Sequence, residues 1–95
     1  MKQIFSSLAV AALISLNATA STAECYADYK AKQDDPLRLH YGVMQVSDCD
    51  AGAARKEVTT RLKSNGWTLL NIMSVFGPEG LDQRKANAGN FYLRY

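Results

Sequence analysis

The apolar and polar positions of the chain fall into blocks. Residues 4–16 are apolar except for three serines. Residues 24–36 are polar, with Tyr26 and Tyr29 as the only large apolar side chains, and close on Asp34-Asp35-Pro36, a turn signal. This block reads as an N-terminal arm. From residue 37 to 46 the pattern alternates and predicts a strand: Leu37, Leu39, Tyr41 and Val43 share one face, Arg38 and His40 the other. The phase changes at Gly42, after which Met44 and Val46 are the apolar positions, as a β-bulge would produce.

Ser47-Asp48-Cys49-Asp50 offers helix N-caps. Ala51, Ala54, Val58 and Leu62 then recur at helical spacing, with Arg55, Lys56, Thr59, Thr60 and Lys63 opposite and Glu57 and Arg61 as an i,i+4 pair. Asn65-Gly66 supplies the stop. Residues 67–76 predict a second strand, with apolar side chains on both faces. Gly77-Pro78-Glu79-Gly80 ends it, and residues 81–89 form either a short helix or an ordered loop. Residues 91–95 alternate, Phe91, Leu93 and Tyr95 against Tyr92 and Arg94, and predict a terminal strand.

These elements predict an α+β fold. It has a three-stranded sheet, a split βαβ unit plus the C-terminal strand, with one main helix packed on one face. Residues 37–95 make up this βαββ domain, with the arm 24–36 in front of it.

The first block is different in kind. A positive start at Lys2, the apolar run and the small residues Ala18, Ala20, Ser21 and Ala23 match a secretory signal peptide over residues 1–23. Cleavage fits after Ala20 or Ala23, and Ala23 is preferred. Loss of Lys2 leaves ten basic residues against nine acidic ones. Near-neutrality excludes a nucleic-acid partner held by bulk charge, and no apolar run long enough to span a bilayer follows the leader. The expected location is the periplasm, or outside the cell.

Cys25 and Cys49 are the only cysteines, and in an exported domain they predict a disulfide that ties the arm down. A metal site using both thiolates with His40 and Met44 lacks paired ligand spacing, so neither a metal nor another cofactor is expected. His40 is the only histidine. A small hydrolase would need it beside Asp34, Asp35 or another acid, whereas the pattern places it on a strand surface. Trp67 and the tyrosines 26, 29, 41, 92 and 95 read as packing residues with polar tips. The segment 77–89, together with Tyr92 just beyond it, is the candidate partner surface, through Glu79, Asp82, Arg84, Lys85 and Tyr92.

Three resemblances add to this. The stretches E-C-Y-A-D-Y-K-A-K, L-R-L-H-Y-G-V, G-W-T-L-L-N-I-M-S-V-F-G-P-E-G and R-K-A-N-A-G-N-F-Y-L-R-Y resemble small secreted alphaproteobacterial proteins with no assigned activity. The helix ending in Gly66-Trp67 is similar to a wider bacterial strand-helix-strand family of unknown function. Residues 41–47 with the Ala-rich helix resemble the first half of SPOR domains, which implies binding to peptidoglycan glycan strands. The expected function is therefore a non-enzymatic interaction or accessory module of the cell envelope, with an envelope protein or glycan as partner.

Overall fold

Residues 24–36 are not an arm. Cys25, Ala27, Tyr29 and Ala31 are buried on one face, while Tyr26, Asp28, Lys30 and Lys32 point to the other, and this period of two makes Cys25–Gln33 a strand, β1. The computed structural model describes residues 24–95, so the signal peptide expected at 1–23 lies outside the described residues. After β1 come β2 (Arg38–Val46), helix α1 (Ala51–Ser64), β3 (Thr68–Phe76) and helix α2 (Asp82–Ala88). One-turn 3-10 helices at Pro78–Gly80 and Gly89–Phe91 flank α2.

The sheet order is β2-β1-β3, and β1 is antiparallel to both neighbours. β2 and β3 are thus parallel strands joined through α1, with a third strand between them. The fold is α+β, with three strands and one main helix packed on one face. The strand filling the split βαβ unit is Cys25–Gln33, however, and not residues 91–95.

β2 pairs with β1 in unbroken register, so Gly42 marks no bulge. His40, Gly42, Met44 and Val46 lie opposite Ala31, Tyr29, Ala27 and Cys25 on one face, while Leu39, Tyr41 and Val43 occupy the other. Gly42 is small because the Tyr29 ring lies across it. A Cβ there would stand 2.5 Å from the Tyr29 hydroxyl oxygen and 2.7 Å from Cζ. Tyr29 is fully buried and cannot swing away. Gly42→Ala should therefore cost about 1–3 kcal/mol, an overpacking penalty readable as a lower urea midpoint.

The irregularities fall in β3 instead. Its pairing with β1 slips by one residue between Asp28 and Tyr29 and again between Lys30 and Ala31, leaving Met73 and Leu70 as extra residues. Leu69, Ile72 and Val75 consequently pack on the same face at a spacing of three. That is why apolar side chains fall on both faces of the strand in a plain alternating reading.

α1 lies over β1's odd-numbered side chains. Its buried residues Ala54, Val58 and Leu62 pack with Ala27, Tyr29, Ala31, Met44 and Val46. Asp50 caps it by accepting from the Ala53 amide at 2.9 Å, and Arg61 meets Glu57 at 2.7 Å. Asn65 is the C-cap, and Gly66 follows in the left-handed region at φ 83°. The disulfide Cys25–Cys49 joins the start of β1 to the segment just before this helix. No helix among the described residues is long and apolar enough to cross a membrane.

The expected terminal strand is absent, although its alternation has a structural meaning. Tyr92 packs with Tyr26, Val43, Phe76 and Ala88 on one side of the sheet, whereas Phe91 and Tyr95 join the α1 side. The tail wraps the outer edge of β2, where the Leu93 amide donates to the Val43 carbonyl at 2.9 Å. Gly89 and Leu93, both at φ 53°, break the extended path that a full strand would need.

Candidate functional site

His40 is buried at 9% exposure, contrary to the surface position expected for it. Because β2 keeps its register, His40 shares the α1 face, beyond the end of the helix. There it stacks on Phe91 with ring centroids 3.7 Å apart and meets Trp67 edge-on at 4.2 Å. Its Nε2 shares a hydrogen bond of 2.9 Å with the Tyr29 hydroxyl. Its Nδ1 is buried with no hydrogen-bond partner among the described residues. No carboxylate hydrogen-bonds to His40 among the described residues, so the acid-histidine arrangement a hydrolase would need is not assembled around it. Trp67 packs over the helix end as expected, its indole N–H donating to the Tyr95 hydroxyl at 3.1 Å.

Burial first, and the charge of Arg94 second, lower the His40 pKa from 6.5 to about 4. The unfolded chain therefore binds the extra proton between those values. Stability should be level above pH 6.5, fall as pH drops toward 4, and level off below that as far as His40 is concerned. The shift sets a ceiling of about 3 kcal/mol, which residual hydration brings down toward about 2 kcal/mol. Urea titrations across that range should show the slope in the wild type and its loss in His40→Phe.

The opposite face of the sheet is divided. One half is covered by α2 and organised around Asp28, buried at 6% exposure. Its carboxylate accepts from Ser74 Oγ at 2.6 Å, the Tyr41 hydroxyl at 2.7 Å and Arg84 Nε at 3.0 Å. Burial pushes the Asp28 carboxyl up, but these three bonds together with the guanidinium charge hold it below its ordinary value. Burial and the bond to Asp28 push the Tyr41 hydroxyl up to about 12. Arg84 also donates to the Gly80 carbonyl at 2.7 Å and lies 3.9 Å over the Phe76 ring. This network fastens α2 to the sheet.

The expected partner residues are thereby dispersed. Arg84 faces inward on Asp28, and the segment 81–89 is largely helical. Lys85 lies over the Tyr92 ring at 5.6 Å, while Glu79 and Asp82 are exposed.

No element among the described residues covers the other half of this face. Its rows are Leu39, Lys32 and Thr68, then Tyr41, Lys30 and Asn71, with the extra residue Leu70 beside them. Leu39 is 64% exposed and Leu70 44%, and Leu37 in the preceding turn is 65% exposed. Leu39 and Leu70 border a hollow of about 260 Å³ that is also lined by Lys30, Ala31, His40 and Tyr41. Exposed aliphatic side chains gathered at one hollow make this half-face the candidate contact surface, unlike isolated ones. Sequence reasoning missed it because Leu37 and Leu39 alternate as core residues do, and only the short length of α2 leaves them bare. Among the described residues no group of three or more His, Cys, Asp or Glu side chains is placed to hold a metal ion. No family model, curated protein or solved structure matches the chain.

Proposed function

We propose that this chain is a non-enzymatic binding module of the bacterial envelope that works in the periplasm. It engages its partner through the open half of the sheet, around Leu37, Leu39 and Leu70. The observation that carries this reading is that two large exposed apolar side chains, Leu39 and Leu70, border one hollow beside Lys30, with the exposed Leu37 in the turn before β2. The opposite end of the same face is sealed by α2. The disulfide supports an oxidising compartment.

The test is fractionation of the exported protein with the cell envelope. Wild type should co-fractionate, and the variant carrying Leu39→Ser and Leu70→Ser should be released with an unchanged melting temperature, since both residues are exposed. Equal behaviour of the two proteins would end this reading.

A further inference from the structure

We propose that the open half-face binds a single-chain anionic amphiphile, a long-chain carboxylate. Its alkyl tail lies between Leu39 and Leu70, and its head group pairs with Lys30. The proposal rests on the reading of this half-face as the binding surface and names its ligand.

Charge is the first support. Lys30 is the only charged residue lining the hollow, and it has no acidic partner among the described residues. The neighbouring Lys32 is held by Asp34 at 2.9 Å. The nearest buried acid, Asp28, is saturated by Tyr41, Ser74 and Arg84. A carboxylate arriving at Lys30 therefore meets an ammonium with no competing acid in the hollow, and the exposed stem of the lysine offers the tail apolar surface.

The backbone is the second. β1, which floors the hollow, is paired on both sides, so its amides and carbonyls are engaged within the sheet. An extended peptide laid on this face would find no backbone partners, unlike one added to a sheet edge. Its own polar groups would be desolvated without compensation, whereas an alkyl chain has none to lose.

Size is the third. A hollow of about 260 Å³ lies below the range of ~300–1,000 Å³ typical of drug-sized ligands. It suits one chain and not a folded segment.

The probes are laurate, dodecyltrimethylammonium and dodecyl maltoside, each below its micelle concentration, followed by amide NMR shifts of the mature protein. Laurate should bind saturably and shift Lys30, Leu39 and Leu70, and the other two probes should not. Lys30→Gln, an exposed change that leaves the melting temperature alone, should weaken laurate about tenfold or more, the loss of one charge-assisted contact. Equal binding of all three probes would overturn the proposal, as would binding to phosphatidylglycerol vesicles without saturable binding of free laurate. Failure of laurate while envelope association still depends on Leu39 and Leu70 would remove the ligand and leave the surface. Failure of both would remove both.

Discussion

Replacing Asp28 with alanine should destabilise the domain by about 3–5 kcal/mol, the usual cost of stranding one partner of a buried ion pair. Three donors lose their acceptor at once: Arg84 Nε, the Tyr41 hydroxyl and Ser74 Oγ. Arg84 is then left under α2 with its charge unmatched on that side. For a domain of this size the loss is comparable with the whole stability, so the variant should be largely unfolded by circular dichroism at room temperature. A double variant, Asp28→Leu with Arg84→Met, removes both charges and should be more stable than the single change. If Asp28→Ala unfolds at the wild-type urea midpoint, the network does not hold α2. Because the folded Asp28 carboxyl lies below its ordinary value, its contribution is present above that value. It is lost only in strong acid, at lower pH than the decline from His40.

The second large effect concerns Cys25 and Cys49. They are 24 residues apart, and closing a loop of that length stabilises by about 3.5 kcal/mol in the chain-entropy model. The bond fixes the first residue of the central strand to the segment that caps α1, so both edges of the core depend on it. Cys25→Ser with Cys49→Ser should lower the midpoint of urea unfolding by roughly that free energy, with the same loss on adding a reductant to wild type. A reductant that leaves the melting temperature unmoved would show that the core alone suffices.

The sequence shows the helix and its caps directly, because each of those features is local. Asp50, Glu57, Arg61, Asn65 and Gly66 act within one or two turns of their neighbours in the chain. The two outer strands are legible for the same reason. The central strand is hard to read, since Ala27 and Ala31 have low strand preference and Asp28, Lys30 and Lys32 give the stretch the polarity of an arm. Its alternation is present but, apart from Tyr29, carried by the small side chains of Cys25, Ala27 and Ala31, which are buried where α1 lies over them. The tail fails differently. Its alternation is genuine, but it sorts side chains to the two sides of the β2 edge instead of pairing as a strand. His40 was legible as a singular residue and not as a buried one, because Phe91 and Tyr95 reach it only when the tail folds back.

Candidate site residues follow the same division. Arg84 stands out in a polar segment, but its partner Asp28 lies 56 positions earlier, and no local pattern links them. The bare Leu39 and Leu70 depend on where α2 stops.

The two extra residues in β3 have a consequence for how this protein meets other chains. This strand runs nine residues along an outer margin of the sheet, and it is rich in leucine, isoleucine and valine. A flat margin of that kind is a template on which another molecule can add itself strand to strand. Met73 and Leu70 interrupt its repeat twice and increase its twist, so no straight partner can zip along its whole length. The same bulges that obscure the strand in the sequence make its margin a poorer template for strand addition.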